Sequence, residues 1–278
     1  VSERDFRNWA ANKMIRPTTI PEDLPELLLE QATAREALRI SVEQHRQLAV
    51  TLRGGQQKRT FDDALSQSMT GQPLLKTGTI DLIIGSGGVL SNAPRRAQAA
   101  LILIDAFEPG GICRLYVDSL FMLPHLGVVS EVDPDIALEV FEKDCLVPLG
   151  TCLAPMGRTR PGQTMLRLTM TTPSGGTIVA EVAGGSLKVI PLPVGGTARV
   201  VAEPVRGIDL GRGPGRRVEG LVGGGVVGLI LDGRGRPLSL PKDPEQRSRS
   251  LIDWWRAMEA YPLDHLRGAV WCQGGDGP

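Results

Sequence analysis

The sequence predicts an α/β domain followed by a smaller β-rich domain that ends in a capping helix. Three observations predict this. Glycine is uneven: of 34 glycines, 10 precede residue 150 and 24 lie from there onward, and glycine is a residue of turns rather than helices. The first half holds one strand–helix–strand pattern of βαβ spacing, which calls for parallel strands. The second half holds several short apolar runs separated by Gly/Pro turns, the pattern of a β-barrel or sandwich. The boundary is placed at 157/158, giving domains 1–157 and 158–278.

A first helix is expected over Val1–Ile15, ended before Pro17, with Pro17–Pro25 extended or turning. A long helix follows from about Pro25 to Arg53. Leu24, Leu27, Leu28, Ala34, Leu38, Val42, Leu48, Ala49 and Leu52 recur at helical spacing, Asp23 is its cap and Gly54-Gly55 its stop. Next come a strand over Thr79–Ile84, a turn at Gly85-Ser86-Gly87-Gly88, and a helix from about Ala93 to Phe107 capped by Ser91 or Asn92. A second strand covers Ile112–Val117, and Asp133-Pro134 opens a helix running to about Cys145. The β-rich strands are expected at 165–171, 177–182, 187–190, 197–202, 218–222 and 226–231, and the last helix at Pro244–Ala260 with Asp243 as cap. That helix, with Leu251, Ile252, Trp254, Trp255 and Met258 on its apolar face, is expected to close over the β domain.

Composition narrows the function classes. The 31 basic and 31 acidic residues cancel, so no global field attracts nucleic acid or an anionic membrane. The longest apolar runs, such as Leu101–Ile104, are far short of the ~20 residues that span a bilayer. Cys113, Cys145, Cys152 and Cys272 form no CxxC pair, which argues against zinc and suits free thiols in the cytoplasm. Three histidines in all make a His-based metal site an unpromising reading, so no metal and no catalytic residue is assigned. The chain opens with Val directly into a helical pattern, which reads as a fragment or one piece of a split protein.

Three segments have the composition of a site. In Asp81-Leu-Ile-Ile-Gly-Ser-Gly-Gly-Val-Leu-Ser-Asn-Ala-Pro-Arg-Arg96 a strand meets a glycine turn and a helix start. Gly85, Ser86, Gly87 and Gly88 would let a nucleotide approach the backbone, with Arg95 and Arg96 adding positive charge. The alternative is a tight β–α connection with no ligand. No Gly-Lys-Ser/Thr follows, and Leu90 stands where a third glycine of GxGxxG would be. In Tyr116–Gly127, Asp118 falls at a strand's C-terminal end and His125 soon after; both are candidate ligand contacts, or else a loop cap and a surface or core-edge histidine. In Arg206–Arg217, Arg212, Gly213, Gly215 and Arg216 form a candidate anion loop, or a turn with solvated arginines. Aromatics are 4% of the chain and absent from that loop, which weakens an RNA reading. His45, on or beside the apolar stripe of the long helix, reads as a satisfied core histidine.

Arg16-Pro-Thr-Thr-Ile-Pro21, Arg35-Glu-Ala-Leu, Gln44-His-Arg, Asp81–Ser91, Val117–Gly127, Leu149-Gly-Thr-Cys152, Gly211–Arg216 and Gly224–Pro237 follow one another along nearly the whole chain. Together they resemble the MutL family of glutamate mutase accessory proteins, unrelated to the mismatch-repair protein of that name. The glycine turn also looks like the adenosine motif of the actin, sugar kinase and Hsp70 ATPase superfamily. The resemblance implies the C-terminal part of an actin-like ATPase domain and ATP or ADP at the turn. It implies a role beside an adenosylcobalamin-dependent aminomutase, in which a reactivase exchanges damaged cobalamin and the chain meets adenosylcobalamin only through that partner. The implied partners are mutase subunits and an N-terminal ATPase segment, with no nucleic acid and no membrane.

The resemblance to that ATPase superfamily implies an Asp-x-Gly turn in each of two phosphate hairpins. No such pair precedes Asp81, and Asp209-Leu-Gly211 lies in the β-rich half, so hydrolysis by this chain alone is not expected. Two other readings stand beside the accessory role. One is a non-catalytic module docking the mutase, and the other a small-molecule kinase of the same superfamily.

Overall fold

The computed structural model describes residues 2–49, 78 and 80–262. Helix α1, Glu3–Ile15, starts at a reciprocal capping box between Ser2 and Asp5 and buries none of its residues. Helix α2, Leu24–Leu48, is capped by the Asp23 carboxylate, which accepts from the Glu26 N–H. Leu24, Leu27, Leu28 and Leu38 of α2 pack on the core. The expected extension to Arg53, with Leu52 and the Gly54-Gly55 stop, lies outside the described residues, as do Thr79 and Cys272.

Strand β1, Leu82–Gly85, leads into a four-residue helix α3, Gly88–Ser91, then helix α4, Arg96–Phe107. The single helix expected from Ala93 is therefore two. Pro94 biases Ala93 away from helical backbone; Asn92 ends α3, and Arg95 caps α4 with its N–H bonded to Gln98. Helix α4 carries Leu101-Ile-Leu-Ile104, apolar on every side, and it is buried on every side. Strand β2, Gly111–Asp118, pairs parallel with β1, as the βαβ spacing requires. Helices α5, Leu123–Val129, and α6, Pro134–Val140, follow; Asp133 caps α6 as expected, and a π-helical turn over Phe141–Cys145 replaces its last turn.

Strand β3, Leu146–Ala154, is the element the sequence hid. Pro148 and Gly150 make its sequence read as a turn. The pairing to β2 slips between Leu115↔Gly150 and Tyr116↔Pro148, and this bulge is where a proline fits inside a sheet. Gly150 has φ +140°, and a Cβ there would lie 1.9 Å from the Gly228 carbonyl oxygen. Only glycine lets β3 approach β9, Gly228–Asp232, closely enough to pair.

The remaining strands are β4, Thr164–Thr171; β5, Thr177–Ala183; β6, Leu187–Ile190; β7, Thr197–Pro204; and β8, Val218–Gly223. They do not close into a barrel. One sheet has the order β1-β2-β3-β9-β6, the other β5-β4-β7-β8. Leu166, Leu168, Met170, Val200 and Ala202 of the second sheet pack against Leu153, Leu229 and Leu231 of the first. The opposite face of the first sheet, with Cys113, Leu115, Cys152 and Ile230, packs on α4. The result is three layers: helices, a mixed sheet, and an antiparallel sheet. The expected boundary at 157/158 cuts across the first sheet, because β6 and β9 come from beyond it and pair around β3 through β9.

Helix α7, Pro244–Ala257, has the expected Asp243 cap. It lies in the helical layer: Trp254 and Met258 join the core around α4, and the Trp254 indole donates to the Gly185 carbonyl at 2.8 Å. Among the described residues no helix is long and apolar enough to cross a membrane.

Candidate functional site

The glycine turn and Asp118 come together at the C-terminal ends of the parallel strands β1 and β2. Ser86 Oγ donates to Asp118 Oδ2 at 3.0 Å, and Ser91 Oγ donates to the Asp118 carbonyl. The Asp118 side chain is fully buried. Its Oδ2 also accepts from Leu123 N–H at 2.9 Å, and its Oδ1 from Leu120 and Met122 N–H at 3.3 and 3.2 Å. Burial pushes this carboxyl up, but the donors, led by Leu123 and Met122 with Ser86 and Leu120, hold it below the ordinary carboxylate value. Four bonds use its acceptor capacity within the protein. Asp118 thus ties the glycine turn to the β2–α5 loop, while His125 on α5 is exposed.

Two glycines of the turn present open backbone. Gly85 is packed: a Cβ there would meet Leu90 and Leu103 at 3.0–3.1 Å. Gly87, with φ +112°, has nothing within 4 Å of that position, and Gly88 only the Asn92 amide nitrogen at 4.0 Å. Gly87-Gly88 is therefore a bare backbone shoulder beside Ser86. The two arginines are engaged with the protein. Arg95 donates to the Glu259 carbonyl and Arg96 to the Ser91 carbonyl, each at 2.7 Å.

The 206–217 loop holds an anion of its own. The Asp209 carboxylate accepts from Gly211 and Gly213 N–H, both at 2.8 Å, and Gly215 N–H bonds the Ile208 carbonyl. Arg206, Arg212 and Arg216 point to solvent as exposed residues. This Asp-x-Gly turn is closed on itself. His45, read as a core histidine, is exposed; the buried polar residue of α2 is Gln31, whose amide donates to Gln98 at 3.1 Å.

Sequence reasoning missed a buried charge seam. Asp232, fully buried at the end of β9, pairs with Arg234 and Arg236 at 2.8 and 2.7 Å. Arg234 continues to Asp105 of α4 at 2.7 Å, and Asp105 to Arg35 of α2 at 3.0 Å. The Arg234 guanidinium also lies 4.9 Å from the Trp254 ring centroid. Burial would raise the Asp232 carboxyl, yet the two guanidiniums hold it well below the usual range. The seam joins Arg35-Glu-Ala-Leu to Leu-Asp232-Gly-Arg-Gly-Arg236, segments nearly 200 residues apart that both carry the family resemblance. The arginines at two and four residues past a strand-end aspartate were the signal. Their partners on α2 and α4 had none. Among the described residues no group of His, Cys, Asp and Glu is arranged to hold a metal.

The layers and the turn define a mixed α/β protein whose candidate ligand surface is a glycine shoulder braced by a buried carboxylate. A family model described as MutL protein matches residues 1–145, the region that contains this shoulder. The chain belongs to that family, the glutamate mutase accessory proteins and not the mismatch-repair proteins. No curated protein and no solved structure matches it.

Proposed function

We propose that this chain assists an adenosylcobalamin-dependent glutamate mutase or a related aminomutase as a reactivase-like accessory protein, and that Gly87-Gly88 receives the nucleoside of ATP or ADP. The family match over residues 1–145 carries the accessory role. The bare backbone at Gly87 and Gly88 supports the nucleoside site, because a flat base or ribose can reach main chain that no side chain covers. Ser86, held by Asp118, fixes the rim of that surface. Arg95 and Arg96 are spent on carbonyls, so the site reads the nucleoside more than the phosphates. Adenosylcobalamin belongs to the partner enzyme in this reading.

Calorimetric titration of the chain with ATP, ADP and adenosine, with and without Mg²⁺, tests the proposal. Similar affinity for all three is expected, and no binding of any would overturn the site. Gly88→Trp is the matching variant, since a Cβ at Gly88 meets only the Asn92 amide nitrogen, at 4.0 Å. It should abolish adenosine binding while leaving thermal unfolding in place.

A further inference from the structure

The β2–α5 loop and the hairpin of α5 and α6 carry more apolar surface than the core can use. Each helix sends one residue into the interior, Leu126 from α5 and Ala137 from α6. Of the 22 large hydrophobic residues exposed among the described residues, eight fall within residues 120–138. Leu120, Val128, Val132, Ile136 and Leu138 lead them, with Val128 72% and Val132 89% exposed. A concentration of this kind marks a contact surface rather than scattered surface residues. The backbone supports the same reading. Phe121 has φ +55°, a costly conformation for an aromatic residue. The Asp118 carboxylate holds it there through the N–H groups on either side, at Leu120 and Met122, and presents the ring half-exposed.

The charge of this segment is mostly of one sign. Residues 119–144 hold six acids and one lysine, in a chain that is neutral overall. That lysine, Lys143, pairs with Glu139. An anionic membrane is disfavoured by such a rim. A second copy of the chain offers an apolar face beside basic residues at α1, where Phe6, Met14 and Ile15 are exposed next to Arg4, Arg7 and Arg16; a self-associating chain that Val128→Ser/Val132→Ser makes monomeric would therefore overturn the inference below in favour of that occupant.

We infer that this ridge is the docking surface for a partner protein whose contact face is an apolar groove or helix flanked by lysine and arginine. Its exposed apolar residues supply affinity and the acids of the same segment supply orientation and on-rate. Where the partner is the mutase, the inference rests on the accessory role proposed above; the surface itself does not.

Two probes test it on the full chain. The first is an 18-residue amphipathic helix of leucine and lysine, with a leucine–glutamate helix as control, read by titration and by amide-exchange protection. Binding of the lysine helix with protection confined to 120–138, weakened by salt, is expected; protection elsewhere, none, or equal binding of the glutamate helix overturns the inference. The second probe is purified glutamate mutase. Val128→Ser/Val132→Ser, at two positions that touch little of the core, should weaken its binding roughly tenfold or more, and Glu131→Lys/Glu142→Lys should slow association. Mutase binding that ignores both double variants overturns the ridge and leaves the accessory role standing. Absence of mutase binding by the unaltered chain overturns the accessory role, and the peptide probe still decides the ridge.

Discussion

Replacing Asp118 should unsettle the glycine turn and the β2–α5 loop together. Its carboxylate is buried and receives four hydrogen bonds, of which those from Leu123 and Ser86, at 2.9 and 3.0 Å, are the best formed. Hydrogen bonds to a charged group contribute ~1.5–3 kcal/mol each, and a donor left unsatisfied in the interior costs ~1–3 kcal/mol. Allowing for non-additivity and for the longer bonds to Leu120 and Met122, Asp118→Ala should cost about 3–5 kcal/mol. Asp118→Asn keeps the shape and one acceptor oxygen, and the Ser86 hydroxyl can turn to accept from the new amide. One pair of backbone donors then meets the NH₂ group or loses its charged partner, a cost of about 1–2 kcal/mol. Urea unfolding at pH 7, with unchanged slope, measures both values. An alanine cost below about 1 kcal/mol, or equal costs for the two variants, would refute the view that this carboxylate organises the turn.

The charge seam should respond as a buried network. Asp232→Ala leaves two guanidiniums in the interior without their shared partner and should cost ~3–5 kcal/mol by the same assay. Both Asp118 and Asp232 have folded values below their unfolded ones. Their stabilisation is therefore present above the unfolded carboxylate value of about 4 and is lost as pH falls through the folded values, so stability followed by circular dichroism should be level from pH 7 to 5 and decline below that. Cys113 and Cys152 face each other across β2 and β3; burial pushes the Cys113 thiol up to about 12 and the Cys152 thiol higher still. Neither should react with a thiol reagent at pH 8 in the native protein, and both should react at once in urea.

What the sequence revealed was local. Caps at Asp23, Asp133 and Asp243, and the parallel pairing of the βαβ unit, are decided within a few residues or one short crossover, and the structure has them all. Pattern failed where a distant partner decides. Pro148 and Gly150 look like a turn until β3 bulges beside one and Gly228 approaches the other. The second half alternates as a self-contained β domain would, yet β9 alternates into two cores at once, Leu229 and Leu231 toward one sheet and Ile230 toward the helices. At the candidate site, the glycines and Asp118 were legible as residues. That Asp118 has no acceptor left, and that Asp209 fills its own loop, could be read only from the bonds.

The pairing of β3 with β9 joins residues near 150 to residues near 230. During synthesis, β3 leaves the ribosome with its far edge unpaired and one face of the first sheet bare. That state lasts until Asp232 has emerged and β9 can slot beside β3. For about 80 residues of elongation, several seconds at ordinary rates, the nascent chain carries an open strand edge along residues that the finished fold mostly buries. Sequence separation of this kind slows folding and makes the half-made protein the stage most exposed to aggregation. Expression yield should therefore depend on chaperone supply more than the stability of the finished fold would suggest.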